Sequence, residues 1–255
     1  MACDQFGMAL HERAMQIDIS DVIGSFHDFS VAVVTCEDLV IPAIRPALLD
    51  AEIEQRETRI RATWGETPLA EIPAIAVWRQ AYKGFGVKKT SYRSSVERLV
   101  KNALADRPLP AINGFVDCYN AVSLTHIFPA GADDLTKIHG DIAFRFSRDG
   151  DSFLDMGARD ESGAPLDAPP KSGEVVYADT EKILCRRWNW RQDARSVVTP
   201  ETRRAVVTIQ ANGAGDLQAA VDDLTDLLRA TCGGRIDVAV ADAARSIVDI
   251  PLTNG

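Results

Sequence analysis

The sequence has no excess of positive charge, no long apolar run and few cysteines, and each absence removes a class of protein. Its 255 residues carry 28 Lys and Arg against 37 Asp and Glu, a formal charge of −9. A general nucleic-acid coat is therefore excluded, because that function needs clustered cations over much of the surface. No apolar stretch reaches the roughly 18–20 residues that span a bilayer. The opening stretch, with Asp4, His11, Glu12 and Arg13, has no uninterrupted apolar centre of a signal peptide. A cytoplasmic protein without a membrane partner is expected. The five cysteines, Cys3, Cys36, Cys118, Cys185 and Cys232, are widely spaced and read as reduced thiols. Cys118 and Cys185 lie in apolar stretches, where a thiol is more often structural than nucleophilic. Glycine-rich phosphate loops, a GxSxG elbow and HExxH or CxxC metal patterns are missing, and His11, His27, His126 and His139 have no ligand spacing. No metal and no cofactor are expected.

What is present is an average globular composition, 46% hydrophobic and 25% charged, enough for a folded core. MQIDI and FSVAVVTCEDLVI read as strands separated by a turn near Gly24. Helices are expected over Ala47–Trp64, with Leu48, Leu49, Ile53 and Ile60 as its apolar stripe, and from Pro73 to Gly84. Another follows Ser94, where Ser94 and Glu97 have the spacing of a capping box. Short apolar runs from INGFVDCYNAVSL to RRAVVTIQA form a β region. Within it, IAFRF and SFLDM suggest a hairpin around Arg148–Asp149–Gly150, and ESGAPLDAPPKSG a loop without strand. A last helix starts at the N-cap Asp216 and stops at Gly233, and RIDVAVADAARSIVDI adds a final strand. The class is α/β, in the α+β mixed sense, with a mixed β-sheet core flanked by helices in one unit spanning 1–255.

The charge is segregated. Arg79 to Arg107 holds eight basic and two acidic residues, Lys182 to Arg204 seven and two, so the remainder carries −20. Two basic segments in an acidic chain suit either a local anionic partner or ordinary solvated faces. In CRRWNWRQ, Trp188 and Trp190 alternate with Arg187, Asn189 and Arg191. Extended, this places the tryptophans on one face and the arginines toward the other. They can stack on a base and fork onto phosphate, or the tryptophans can be core covered by arginine stems.

The ordered series PLPAINGFVDCYNAVSL, PAGADDLTKIHGDIAFR, SGEVVYAD, ILCRRWNWRQ and VVTPETRRAVVTIQA resembles the B3/B4-type tRNA-binding domain, the editing module of the phenylalanyl-tRNA synthetase β chain. It is closer still to stand-alone proteins built on that module, such as canavanyl-tRNA deacylases. The similarity covers about residues 61–234, leaving 1–60 as an N-terminal extension packed on the domain. The resemblance implies hydrolysis of a mischarged amino acid from the tRNA 3′ end, with misacylated tRNA as partner and no DNA. The family's VDVTN is VDCYN here, keeping Asp117 and Asn120 with Tyr119 for the pocket threonine. HAFD becomes Gly131, Ala132, Asp133 and Asp134, so the editing-site histidine is Gly131. The glycine-rich AGVMGG aligns with Cys185 to Trp190, and the pocket glutamate falls on or near Gln210. A rebuilt pocket is what a change of amino-acid specificity on a kept scaffold looks like.

Carried onto this chain, Asn120, Asp117 and Asn189 are the expected catalytic residues. Tyr119, Asp133, Asp134, Trp188 and Gln210 are expected to hold the substrate. Arg79, Lys88, Lys89, Arg93, Arg187 and Arg191 are expected to contact tRNA. A non-catalytic tRNA-binding module and a small-molecule amino-acid binder or hydrolase remain the alternatives.

Overall fold

The structure is a computed structural model that describes residues 14–87 and 91–252. Its first half runs β1 (Gln16–Asp18), the one-turn helix α1 (Ser20–Ile23), β2 (Phe29–Glu37), α2 (Ala47–Trp64), α3 (Pro73–Gly84), α4 (Ser95–Leu104) and α5 (Gly114–His126). Then come β3 (Ala130–Asp134), β4 (Ile142–Phe146), β5 (Leu154–Arg159), β6 (Pro165–Asp167), β7 (Val175–Ala178), β8 (Ile183–Arg186) and β9 (Arg191–Gln192). β10 (Ala205–Asn212), α6 (Leu217–Cys232), β11 (Arg235–Ala241) and β12 (Ile247–Asp249) complete it.

Two sheets organise these elements. The first has the order β12-β1-β4-β7-β8-β9 and is mixed, because β1 and β4 run parallel; the second, β11-β2-β10-β3, is antiparallel. Alternation along a strand sends successive side chains to opposite faces. On β2, Phe29, Val31 and Val33 meet Ile142, Phe144 and Tyr177 of the first sheet, with Trp78 and Tyr82 of α3. Ala32, Val34 and Cys36 face the other way, onto Phe115 and Val122 of α5 and Val221, Leu224 and Leu228 of α6. Buried on both faces, β2 is apolar through its centre, Val31 to Val34, for that reason. The class is thus α/β of the mixed α+β kind. The stretch before residue 61 supplies β1 and β2, each lying between two other strands.

Helix signals in the sequence locate α2, α3 and α6 closely. Pro73 opens α3, and Asp216 accepts the Ala219 amide at 3.0 Å ahead of α6. In α2 the buried stripe is Leu49, Ile53 and Ile60; Leu48 points out, 88% exposed. Four expectations are corrected. INGFVDCYNAVSL is largely the helix α5, capped by Asn113, which accepts the Val116 amide at 2.9 Å. Buried on nearly every side, it has no polar face to betray a 3.6-residue period. The Arg148–Gly150 turn forms, but β4 pairs with β1 and β7 rather than with β5. The Pro- and Gly-rich loop contributes β6, which pairs with β5. The Ser94–Glu97 box is not closed, because Glu97 turns to Arg79 at 2.6 and 3.1 Å and the Ser94 hydroxyl has no hydrogen-bond partner among the described residues.

Candidate functional site

A cavity of about 490 Å³ lies beside β3, the outer strand of the second sheet. Register explains one wall: Thr208 pairs with Gly131 and Val206 with Asp133, so Thr208, Gln210, Gly131 and Asp133 share a face. Helix α5 supplies Tyr119 and Asn120, the first sheet Tyr177 and Cys185, and the turn after β8 Asn189, Trp190 and Arg191. That turn is shaped by Arg187 and Trp188, whose φ angles are +48° and +67°. Left-handed backbone there breaks the expected alternation, so the two tryptophans part: Trp190 lines the cavity and Trp188 does not.

Several polar groups are locked. The Tyr82 hydroxyl donates to Asn189 Oδ1 at 3.0 Å, Asn189 Nδ2 to Gln210 Oε1 at 3.0 Å, and Gln210 Nε2 to Thr208 Oγ1 at 3.3 Å. This buried chain fixes the amides of Asn189 and Gln210 in orientation. Asp133 accepts from Ser196 Oγ at 2.6 Å and Gln192 Nε2 at 3.0 Å, both on the same oxygen. Burial pushes its carboxyl up to about 7, against the pull of those two hydrogen bonds. Other groups are uncommitted. Tyr177 Oη is buried with no hydrogen-bond partner among the described residues, and the Asn120 side chain is half-buried at the cavity wall with no hydrogen bond to the described residues. Burial also raises the Cys185 thiol, which disfavours a nucleophilic thiolate.

The structure brings Tyr119, Asn120, Asp133, Asn189, Arg191 and Gln210 onto one cavity and places Asp117, Asp134, Trp188, Arg79, Arg93 and Arg187 elsewhere. Asp117 is fully buried away from it, accepting from Arg45 Nε at 2.9 Å and the Ile112 amide at 3.0 Å; it anchors the loop that carries Pro110 and Ile112 to the cavity wall. Burial alone would raise the Asp134 carboxyl, but bonds from Thr136 and Thr202 outweigh it and hold it below the usual range; its role is to shape the turn after β3. Trp188 is core, edge-on to Phe26, Phe29 and Trp78 with centroids 4.7–5.2 Å away. The Arg187 guanidinium lies 3.7 Å over Tyr92 and 4.4 Å over Trp190 and pairs with Glu174 at 3.4 Å. Arg79 is held by Glu97, Arg93 lies 3.7 Å from the same carboxylate, and Arg191 pairs with Asp155 at 3.1 Å. Lys88 and Lys89 fall outside the described residues.

Sequence reasoning missed Tyr177, Thr208 and Gln192. Thr208 and Gln210 two apart in the apolar strand AVVTIQA were the available signal, since polar residues on one face of a buried strand need partners or a cavity. Arg98 on α4 was counted only as charge, yet it lines the cavity and makes no ion pair among the described residues. Gly131 is roomy: a Cβ there would meet no atom within 4 Å. The described residues hold no cluster of three metal-ligating side chains, and none of their helices is long and apolar enough to cross a membrane. The chemistry available is positioning and polarisation by Asn120 and Asp133.

A family model described as B3/4 domain matches residues 77–233. Among solved structures, the chain is similar to an N-terminal fragment of the phenylalanyl-tRNA synthetase beta subunit from Pyrococcus horikoshii, with 12% identity and a TM-score of 0.44. That match covers 86% of this chain and 49% of the other, so the chain spans about half its length. A search of curated proteins gives no match.

Proposed function

The chain belongs to the B3/4 domain family, and from that premise we propose that it is a trans-acting aminoacyl-tRNA deacylase working as one unit, a hydrolase of the ester between a mischarged amino acid and the tRNA 3′ end. The observation that carries this reading is the cavity itself. It has room for an amino-acid side chain, uncommitted polar groups at Asn120 and Tyr177, and Arg98 at its rim. The ester is already activated, so an acceleration on the order of 10²–10⁴, about 3–5.5 kcal/mol, suffices for proofreading.

In this mechanism water attacks the ester carbonyl carbon, the ribose oxygen leaves and takes a proton, and the free amino acid is released. Asn120 holds the carbonyl or the water, and Asn189, fixed by Tyr82 and Gln210, faces it from the turn. Tyr119, Asp133 and Gln210 surround the side chain. Asp133 is the acidic group of the cavity, which makes a donor-rich amino acid such as canavanine the first substrate to try. Trp190, rather than Trp188, offers a ring for the terminal adenine.

The test is a panel of misacylated tRNAs including canavanine, tyrosine and meta-tyrosine. One of them should lose its amino acid, and Asn120→Ala should slow that loss about 10²-fold at unchanged melting temperature. Stability of every ester in the panel would overturn the enzyme reading. A second reading, a tRNA-binding module without turnover, is favoured by Gly131 standing where the resemblance puts a histidine; it predicts salt-dependent tRNA binding and no hydrolysis.

A further inference from the structure

A second cavity, of about 320 Å³, adjoins the first, with Trp190, Arg191, Ser95 and Arg98 common to both. It opens at the N-terminus of α4, a ten-residue helix whose cap residue Ser94 makes no side-chain capping bond. Ser94 is 2% exposed and lines this cavity, and its buried hydroxyl has no hydrogen-bond partner among the described residues. A buried hydroxyl at a helix start ordinarily caps an amide. Here Ser95 N–H goes to the Asn189 carbonyl at 3.0 Å and Glu97 N–H to the Ser94 carbonyl at 3.2 Å. Arg98 and Lys101, neither in an ion pair among the described residues, line the same cavity, as do Arg93 and Arg191. The one carboxylate on the wall, Glu97, is already held by Arg79 at 2.6 Å and approached by Arg93 at 3.7 Å.

We propose that this second cavity is a phosphate-binding site, in which Ser94 Oγ donates to a phosphate oxygen and Arg98 and Lys101 balance its charge. The positive end of α4 favours an anion at this place. Given the deacylase reading, on which this part rests, the phosphate is a backbone phosphodiester next to the terminal nucleotide, with Trp190 between it and the ester. A free nucleotide carries the same chemistry.

Binding is measured by calorimetry on the full chain with four probes that carry no amino acid: inorganic phosphate, AMP, the trinucleotide CCA, and CCA with neutral methylphosphonate linkages. Expected are binding of CCA and a loss of at least tenfold with the neutral linkages. Ser94→Ala should weaken CCA about threefold to tenfold without lowering the melting temperature, since the hydroxyl caps nothing, and Arg98→Gln should weaken it further. Binding of AMP or phosphate that Ser94→Ala and Arg98→Gln weaken, with equal affinity for both trinucleotides, keeps the site and assigns it to a free nucleotide, overturning the backbone assignment. No phosphate-bearing probe bound, or variants that bind as the parent does, overturns the site. Because no probe carries an ester to an amino acid, the result is independent of whether the panel of misacylated tRNAs is hydrolysed.

Discussion

The two basic segments carry almost the same excess charge and use it in opposite ways. In the segment from Lys182 to Arg204, six of seven cations sit on carboxylates: Lys182 on Asp179, Arg186 and Arg187 on Glu174, Arg191 on Asp155, Arg195 on Asp193 and Arg204 on Glu37. In the segment from Arg79 to Arg107, Arg79 and Arg93 share Glu97, while Lys83, Arg98, Lys101 and Arg107 make no ion pair among the described residues. A charge count measures what a segment contains, whereas binding depends on what its carboxylates leave over. The segment with tryptophans among its arginines left both a nucleic-acid surface and a core reading open, and it is the one whose cations the protein's own carboxylates neutralise.

The strongest way to break this comparison is Arg186→Ala. It strands Glu174, 6% exposed, beside Arg187 alone, and should cost about 3–5 kcal/mol in denaturant unfolding. A neutral outcome would mean the pairing is not structural. Next comes Asp133→Asn, since burial pushes the Asp133 carboxyl up to about 7 against the pull of Ser196, Gln192 and Lys182. Between its unfolded value of 3.8 and about 7 the folded chain keeps a proton the unfolded chain has lost, so stability falls as pH rises through that window and is flat above it. The variant should therefore gain on the parent at pH 8 and show no gain near pH 4, read as unfolding midpoints across pH. A smaller effect is expected for Arg98→Glu with Lys101→Glu: tRNA affinity down about tenfold or more, the slope of log affinity on log salt reduced by about one to two, and the unfolding midpoint unmoved. Smallest is Arg203→Ala in the neutralised segment. Among the described residues its guanidinium hydrogen-bonds the Pro200 and Thr202 carbonyls and no carboxylate, so stability should change by less than about 0.5 kcal/mol.

Legibility followed the same division between local and long-range causes. Pro73, Asp216 and Gly233 mark helix ends through their own backbone chemistry, and the sequence shows them. Helix α5 is hidden because its neighbours bury it all round, and the partner of β4 is hidden because β7 lies some thirty residues on. In the candidate site, Asn120, Asp133 and Gln210 were found from motif positions that the fold brings to one cavity. Arg187 and Trp188 were placed by assuming an extended backbone, which their positive φ angles deny. Asp117 was expected in the site because VDCYN keeps it, and nothing local disclosed that Arg45, distant in sequence, would claim it.

β3 is the outer strand of its sheet, and its outward backbone is not bare: the Gln192 side chain donates to the Ala132 carbonyl, and the Asp134 amide donates to the Ser196 carbonyl. An unguarded sheet edge is a template on which another chain can add a strand. The polar lining of the cavity thus doubles as a shield against self-association. Chains lacking the Gln192 side chain should scatter light on storage sooner than the parent does.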